Sequence, residues 1–337
     1  MKIRENVPIS EITTMRIGGK TRYLIDISSP DEIVDAFDFI EEKGLPFYFL
    51  GDGANSIGKD EGFSGVILRN KITGISVIDE KNKVIRGFGG ENWDNVVKFT
   101  TLLGWSGIEA MSAIPGTLGA APIQNIGAYG QDISQVIVEA EAFDTLLHEF
   151  VTIPKDKMEM GYRKTIFNSG ETAGRYFIVS VTLKLNNGHL EPPFYTSLQK
   201  FVEEHEITDF SPENIREMVI KIRESKLPDP KTTASAGSFF KNIYLTDKEA
   251  DEAEARGIQV FRTNSENTIN TGWLIEQAGL KGKEFFGFRV SDKASLILIN
   301  ESARSFSDLE KAKTEISRIV KEKFGFELEM EPVRIEA

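Results

Sequence analysis

The first half of the chain alternates apolar and polar positions in several short segments. Residues 21–28 (TRYLIDIS) alternate, and residues 175–186 alternate over a longer run, so both are predicted strands. Further strands are predicted at 46–50, 65–69, 72–78, 83–89, 136–144 and 147–153. Strands outnumber helices here and do not alternate with them regularly, which favours an α+β fold over repeated βαβ units.

Two helices are predicted among these strands. One begins at Ser29-Pro30, has Glu32 in a capping box and ends at Gly44, and the other covers 92–103. After the linker-like segment NNGHLEPP the composition changes, and helices are predicted at 212–225, 247–256, 271–279 and, with Ser307 as its cap, 308–324. Strands are predicted there near 258–263, 285–290, 296–300 and 326–330.

The stretch 110–131 (AMSAIPGTLGAAPIQNIGAYGQ) differs from the rest of the chain. It has no charged residue, although 27% of the chain is charged, and it contains four glycines, two prolines and five alanines. A membrane span needs about 20 predominantly apolar residues, and the polar residues, glycines and prolines here exclude one. A plain core segment explains the alanines but not the general lack of side-chain bulk. The stretch therefore predicts a backbone bed for a large flat cofactor, with amides as donors.

A second glycine-rich segment, 51–56 (GDGANS), follows a predicted strand. A dinucleotide fingerprint needs a helix directly after its glycines, and IGKDEGFSG cannot form one. A phosphate-binding loop of the Gly-Lys-Ser/Thr type is excluded here, because Gly-Lys-Ser/Thr does not occur in this segment or in the IGKDEGFSG that follows it. Two interpretations stay open: an ordinary strand-to-strand turn, or a nest of backbone amides for a phosphate, with Asn55 and Ser56 as extra donors.

Composition narrows the classes of function. The 337 residues carry a net charge of −12, which argues against a nucleic-acid partner. Cysteine is absent, so disulfides, thiolate catalysis and iron–sulfur clusters are excluded and a cytoplasmic protein is expected. The N-terminal residues lack the apolar run of a signal peptide. Three histidines lie far apart without ligand spacing, so no metal site is expected.

Four further places could carry chemistry, and each also has an ordinary explanation. Ser238 precedes two phenylalanines and is either a turn serine or a hydroxyl beside a dry surface. Arg163, in YRKTIF, is either a surface ion-pair partner or a group aimed at a developing anion. Lys226 ends a predicted helix, where a cation suits the helix dipole, or it meets a phosphate. Glu329 and Glu331, in the tail LEMEPVRI, are either solvated or catalytic.

Taken in order, these segments resemble one family, the UDP-N-acetylenolpyruvoylglucosamine reductases, flavoenzymes of peptidoglycan precursor synthesis. The resemblance rests on TTMRIGG (13–19), LGDGANS (50–56), IPGTLGAAPIQNIGAYG (114–130), YRKTIF (162–167), KLPDP (226–230), AGSFFKN (236–242) and GWLIEQAGLKG (272–282). Asp52, Ala54 and Thr165 depart from the family pattern. The resemblance covers essentially the whole chain, and the ordered series is more specific than any single motif.

The resemblance implies a flavin-binding module of the vanillyl-alcohol-oxidase type, about 17–186, and a C-terminal α+β substrate domain. The implied division is 1–70, 71–225 and 226–337, with a substrate-clamping loop at about 187–210 that includes Tyr195. It implies non-covalent FAD, with NADPH as co-substrate and a nucleotide sugar as substrate, and a monomer is expected. The residues expected to hold FAD are Gly51, Asp52, Gly53, Ala54, Asn55, Ser56, Pro115, Gly116, Thr117, Gly119, Ala120, Gln124, Asn125 and Gly127.

The resemblance also implies roles for the remaining candidates. Ser238 is the expected proton donor, and Arg163 and a tail glutamate are expected to stabilise the charge that develops on the substrate. The expected substrate-binding residues are Tyr162, Tyr195, Lys226 and Asn242. The family tail has the order L-E-x-E-V-R, whereas here Pro332 separates the second glutamate from the Val-Arg pair. Glu331 is the expected catalytic residue, with Glu329 as the alternative.

Two other functions are compatible with parts of the pattern. A related flavin-dependent oxidase would often link its flavin covalently through His or Cys, but no Cys exists and no His lies in the glycine-rich stretches. A nucleotide-sugar-binding protein without catalysis would have no need of Arg163, Ser238 and a tail glutamate.

Overall fold

A four-stranded mixed sheet forms the first part of the chain. The computed structural model describes residues 1–262 and 266–336. The elements up to residue 70 are β1 (Lys2–Pro8), β2 (Lys20–Ile27), α1 (Asp31–Lys43), β3 (Phe47–Leu50), β4 (Ser56–Gly58) and β5 (Phe63–Asn70). The sheet order is β1-β2-β5-β3, with β1 antiparallel to β2 and the other pairs parallel. The sequence KIRENVP did not predict β1, because that edge strand is mostly exposed and has no apolar alternation.

An antiparallel sheet of five strands follows. Its region contains β6 (Ile75–Asp79), β7 (Val84–Phe88), α2 (Trp93–Leu102), β8 (Gly127–Ala128), β9 (Gln131–Asp132), β10 (Ile137–Asp144), β11 (Glu149–Pro154) and β12 (Tyr176–Lys184). The sheet order is β11-β10-β12-β7-β6. Helix α1 packs between the two sheets, with the rings of Phe37 and Phe143 5.0 Å apart. The glycine-rich stretch thus follows α2 and precedes β10.

Two helices cover one side of the uncharged stretch. They are α3 (Thr196–Glu204) and α4 (Pro212–Lys226), and their apolar faces enclose a cluster with Ala110. The sequence predicted α4 but treated 187–210 as a loop, and α3 lies inside that segment. Its nine residues bury only Leu198 and Val202, too few apolar positions to show a helical period clearly.

The described part of the last third contains short strands and three helices. They are β13 (Ser235–Ser238), β14 (Ile243–Leu245), α5 (Asp247–Ala255), β15 (Phe261–Arg262), β16 (Asn267–Ile269), α6 (Thr271–Gln277), β17 (Glu284–Phe285), β18 (Phe288–Val290), β19 (Ile297–Asn300), α7 (Phe306–Phe324) and β20 (Val333–Ile335). The core of this region also includes Met15, Ile17 and Ile57 from the beginning of the chain. The α+β class is confirmed, and the division at residues 70 and 225 stays a prediction.

Several local predictions differ from the structure. Residues 326–329 are not a strand, since only Met330 forms an isolated bridge, with Phe240. Helix α7 begins after Ser305, whose side chain accepts a hydrogen bond from the Asp308 amide, rather than after Ser307. The predicted strand 258–263 is reduced to β15, and residue 263 lies outside the described residues.

The start of α1 also differs from its prediction. Pro30, not Ser29, is the residue that precedes α1, and no side chain caps this end. Glu32 accepts a hydrogen bond from the Ser28 amide and pairs with the N-terminal amine. Helix α5, by contrast, begins with a capping box formed by Thr246 and Glu249.

The end of the chain returns to its beginning. Strand β20 pairs in parallel with β4, the strand that directly follows the glycine-rich turn 51–55. The Val333 amide donates to the Asn55 carbonyl at 2.8 Å, and Ile335 is fully buried. This pairing brings the tail glutamates to the side of the molecule where both glycine-rich stretches lie.

Candidate active site

The turn 51–55 packs tightly against neighbouring backbone. Gly53 has a φ of +69°, and a Cβ there would lie 2.2 Å from the Ile12 carbonyl oxygen. A Cβ on Gly51 would lie 3.1 Å from Thr117 Oγ1, in the uncharged stretch. The Thr14 amide donates to the Gly53 carbonyl at 3.0 Å. The turn is thus a strand-to-strand connection, and its glycines allow it to pass between TTMRIGG and the stretch 110–131.

Side chains join the two glycine-rich stretches directly. Asn55 Nδ2 donates to Gln124 Oε1 at 2.8 Å. Gly116 has a φ of +131° and open space where a Cβ would be, whereas a Cβ on Gly119 would lie 2.9 Å from the Gly89 carbonyl oxygen. The stretch therefore rests on the sheet at Gly119 and is open at Gly116.

Asp94, in the first turn of α2, holds the start of this bed. Its Oδ1 accepts hydrogen bonds from the Ala113 amide and from Arg216 Nη1, both at 2.6 Å, and its Oδ2 accepts from Arg216 Nη2 at 2.7 Å. Burial raises the pKa of Asp94, but the hydrogen bonds from Arg216 and the Ala113 amide lower it by more, so the pKa lies below its ordinary value. Ala113 has a φ of +57°, so the carboxylate fixes a backbone conformation that alanine rarely adopts.

A cleft of about 1040 Å³ opens beside this bed, large enough for a small-molecule ligand. It is lined on one side by Ala54 and Pro115 and on the other by residues between Leu227 and Gly237. Four cationic residues also line it: Arg223, Lys231, Arg289 and Lys293. Four acidic residues, Asp94, Glu224, Asp229 and Asp292, line the same cleft, so its lining carries no net charge.

Arg163 and Glu331 meet although 168 positions separate them in the sequence. Arg163 Nε donates to Glu331 Oε1 at 2.8 Å, and the two side chains are 22% and 11% exposed. Burial raises the pKa of Glu331, and the charges of Arg163 and Lys241 only partly oppose that rise. Glu329, by contrast, has a 74% exposed side chain that pairs with Lys241.

A turn anchored to the bed carries Arg163. The Gly161 amide donates to the Lys164 carbonyl at 2.8 Å, so Tyr162 and Arg163 occupy the tip. Asn125 Nδ2 donates to the Gly161 carbonyl at 3.2 Å, and Arg163 Nη1 lies 3.5 Å from the Asn125 carbonyl. Asn125 therefore ties the arginine turn to the bed, and its expected contact with FAD stays a prediction.

Ser238 ends β13, beside the tail. The Glu331 amide donates to the Phe239 carbonyl at 2.9 Å, and the Lys241 amide donates to the Glu329 carbonyl at 2.9 Å. Gly237 lines the cleft, and Ser238 is half-buried. The structure therefore brings Ser238 and Glu331 onto adjacent backbone segments, as the expected roles require.

The expected substrate residues differ in their surroundings. The side chain of Tyr195 is half-exposed, and its ring meets that of Tyr129 edge-on at 5.9 Å. Lys226 is exposed at the end of α4, and the next residues, Leu227 and Pro228, line the cleft. Asn242 Oδ1 accepts from the Thr271 amide at 3.3 Å, which leaves its Nδ2 hydrogens for other partners.

Sequence reasoning missed other residues of the site. Asp94 is not part of any recognised motif. Arg223 precedes Lys226 on α4, and its neighbours in the sequence form no motif that marks it as functional. Burial lowers the pKa of Arg223, and its Nε is buried without a hydrogen-bond partner in the described part of the chain. Tyr129 was inside a quoted motif but was not assigned a role. These three depend on contacts between distant elements, which local patterns do not reveal.

Comparisons with known proteins agree with this geometry. Residues 21–145 match the FAD binding domain family, and residues 229–335 match the C-terminal domain of UDP-N-acetylenolpyruvoylglucosamine reductase. The reductase of that name from Bdellovibrio bacteriovorus is 33% identical over 99% of this chain and 100% of the relative. The chain belongs to the UDP-N-acetylenolpyruvoylglucosamine reductase family. Its cofactor is FAD, and the protein is an FAD-dependent oxidoreductase.

Two other comparisons support the assignment. The UDP-N-acetylenolpyruvoylglucosamine reductase of Alcanivorax borkumensis is 34% identical over 86% of this chain and 84% of the relative. The crystal structure of UDP-N-acetylenolpyruvylglucosamine reductase from Thermus caldophilus has a TM-score of 0.67 and covers 99% of both chains. Sequence identity to that structure is 21%, so this comparison establishes the shared fold.

The residues present fit FAD. The bed is uncharged and open at Gly116, the turn 51–55 lies against it, and the cleft begins at its edge. Among the described residues, no group of His, Cys, Asp and Glu has the arrangement of a metal site. Within the same ranges, no helix has the length and apolarity to span a bilayer.

Proposed function

We propose that the chain catalyses the NADPH-dependent reduction of the enolpyruvyl ether of UDP-N-acetylglucosamine-enolpyruvate to UDP-N-acetylmuramate. The observation that carries the proposal is the Arg163–Glu331 pair, which stands beside Ser238 and is tied to the FAD bed through Asn125. An arginine paired on one edge presents its remaining N–H groups to a ligand carboxylate.

FAD held by the stretch 110–131 and the turn 51–55, and reduced by NADPH, would supply a hydride to C3 of the enolpyruvyl group. The residues of the chain must then stabilise the negative charge that develops at C2 and on the adjoining carboxylate. Arg163 is suited to this task because its Nε is fixed by Glu331 while its Nη groups are free of strong protein hydrogen bonds among the described contacts. Glu331, with its raised pKa, can carry a proton or share one in a hydrogen bond.

Ser238 is proposed to deliver the proton to C2. A serine hydroxyl is a weak acid, but an enolate-like carbon is a strong base, so transfer over a short distance is feasible. Lys226 and Tyr195 are proposed to hold the substrate phosphates, while Tyr162 and Asn242 border the reacting end.

Ser238→Ala tests the proposal by separating the two half-reactions. We expect flavin reduction by NADPH to remain near normal, and flavin reoxidation by substrate to slow by ~10²–10⁴-fold, the range for loss of a proton donor. Stopped-flow absorbance of the flavin measures both, so the reductive half-reaction is the internal control. Unchanged reoxidation would remove Ser238 from the mechanism.

The proposal also distinguishes the chain from a non-catalytic binding protein. Anaerobic NADPH should bleach the flavin spectrum, and the enolpyruvyl nucleotide should restore it. Bleaching without recovery would contradict the proposed substrate.

A monomer and a cytoplasmic location are part of the proposal, the latter because the family acts in peptidoglycan precursor synthesis. Size-exclusion chromatography with light scattering measures the first, and cell fractionation the second.

A further inference from the structure

An aromatic pair stands beside the Arg163–Glu331 pair. Tyr162, at the tip of the arginine turn, and Tyr244, in β14, have ring centroids 4.7 Å apart with planes inclined by 50°. Their exposed fractions are 41% and 40%. Tyr162 lies in the turn that Asn125 ties to the bed, and Tyr244 lies in the C-terminal region 229–335, so the pair bridges these two segments.

Tyr162 in turn supports Arg163. The guanidinium carbon lies 5.3 Å from the centroid of the Tyr162 ring, within the range of a cation–π contact. Arg163 has a φ of +53°, a left-handed conformation that a non-glycine residue adopts only when its surroundings enforce it. The side chain is thus held on one edge by Glu331 and on one face by Tyr162.

The ring of Tyr162 needs support of its own, because it projects from a turn and is half-exposed. Besides Arg163, the groups that influence its hydroxyl are Tyr244, the Asn242 backbone and Glu331. Burial raises the pKa of Tyr162, as it does that of Tyr244, so both hydroxyls stay neutral at physiological pH. Tyr244 is the one of these groups that packs a ring against Tyr162.

We propose that Tyr244 is a positioning residue for the reaction: it holds the Tyr162 ring in place, and that ring orients the Arg163 guanidinium toward the reacting carboxylate. The inference rests on the proposed function, since it concerns the same reaction. Ser238, Asn242 and Tyr244 follow one another closely in the chain, so this segment would supply the proton donor and also orient the group that stabilises the charge.

The rate of the oxidative half-reaction measures this role. Dithionite-reduced holoenzyme is mixed with the enolpyruvyl nucleotide, so that NADPH is not involved. We expect Tyr244→Ala to slow flavin reoxidation about tenfold, the scale on which one aromatic or cation–π contact acts. Tyr244→Phe keeps the ring and should stay within about threefold of the wild type.

A double-mutant cycle shows whether Tyr244 acts through Tyr162. In a Tyr162→Ala background, the added Tyr244→Ala change should slow reoxidation no further. Affinity for UDP alone, titrated through the visible flavin spectrum of the oxidised holoenzyme, should be the same in Tyr244→Ala and the wild type.

Two results would overturn the inference. Additive effects of the two substitutions would show that Tyr244 does not act through Tyr162. A loss of UDP affinity as large as the loss of rate would make Tyr244 a direct nucleotide contact. The proposed function fails in a different way, because its failure would be visible in the wild type, whose reduced flavin the substrate would not reoxidise.

Discussion

Replacing Glu331 with glutamine removes its charge and its acidic proton but keeps its shape. The side chain is 11% exposed, and its Oε1 accepts from Arg163 Nε at 2.8 Å, a bond that an amide oxygen can also accept. The position of Arg163 should therefore be preserved. The substitution removes the negative charge that strengthens the hydrogen bond from Arg163, and it removes the ability of residue 331 to exchange a proton.

The expected effect on rate is larger than the effect on stability. Loss of one preorganised electrostatic partner costs ~10²–10³-fold in kcat, and we expect that range for flavin reoxidation by substrate. Removing one partner of a buried ion pair is costly where the other charge is left unpaired, but glutamine keeps the hydrogen bond to Arg163, whose side chain is 22% exposed, so we expect a loss of about 1 kcal/mol. Because a change of about 1 kcal/mol shifts Tm by less than about 4 °C in a chain this long, Glu331→Gln should melt within a few degrees of the wild type.

The raised pKa of Glu331 adds a pH signature. Since the folded state holds this proton more tightly than the unfolded state, its stabilising contribution is complete below the ordinary glutamate pKa. That contribution is lost as pH rises through the raised pKa, and Glu331→Gln should remove this part of the Tm–pH curve. Calorimetry across the acidic range measures the difference.

Glu329→Gln is the matched control, two residues earlier in the same tail. Glu329 has a 74% exposed side chain paired with Lys241, and exposed pairs contribute about 0–1 kcal/mol. Its turnover should stay within about twofold of the wild type. Stopped-flow reoxidation and steady-state turnover should agree for both variants. Undiminished activity in Glu331→Gln, or an equal loss in Glu329→Gln, would refute the assignment of the tail glutamate.

Three further predictions concern FAD and the bed that holds it. Gly53→Ala should destabilise the protein by about 2 kcal/mol or more, because its Cβ would clash with a carbonyl, whereas Gly44→Ala, also at positive φ but in open space, should cost only about 1 kcal/mol in urea unfolding. Asp94→Asn should weaken FAD binding about tenfold in a fluorescence titration, since Ala113 and Arg216 lose a charged partner; unchanged affinity would contradict that role. Acid precipitation should release the flavin into the supernatant, and flavin retained in the pellet would indicate covalent attachment.

The elements that the sequence predicted well are those with a strong local signal. Helix α1, helix α4 and strand β12 bury long periodic faces, so their patterns show their type. The sequence did not predict strand β1, because β1 is stabilised by its pairing with β2 and has no apolar–polar alternation of its own. The segment 326–329 has the alternation of a strand but lacks a continuous partner, since the tail pairs only at Met330 before β20 begins.

The residues of the candidate site also differ in whether the sequence could predict them. Arg163, Ser238 and Glu331 were predicted through a resemblance of ordered motifs, and in the structure Arg163 contacts Glu331, whose amide donates to the residue after Ser238. Their mutual distances could not be derived from the sequence, because no spacing rule connects residues so far apart. Asp94 and Arg223 act through contacts with other helices and with the bed, so a pattern along one segment does not identify them.

The pairing of β20 with β4 is one of several contacts between the two ends of the chain, and these contacts affect the order of folding during synthesis. Thr14 Oγ1 donates to the Ser235 carbonyl across 221 positions, and Asn300 Nδ2 donates to the Met15 carbonyl across 285. Contacts of such high sequence separation form late, because closing the intervening loop costs entropy before any contact is gained. A nascent chain on the ribosome can therefore complete its FAD-binding sheets well before it has an active site. On the proposed function, the enzyme becomes competent only after residues 333–335 emerge and pair with β4, which places Glu331 beside Arg163.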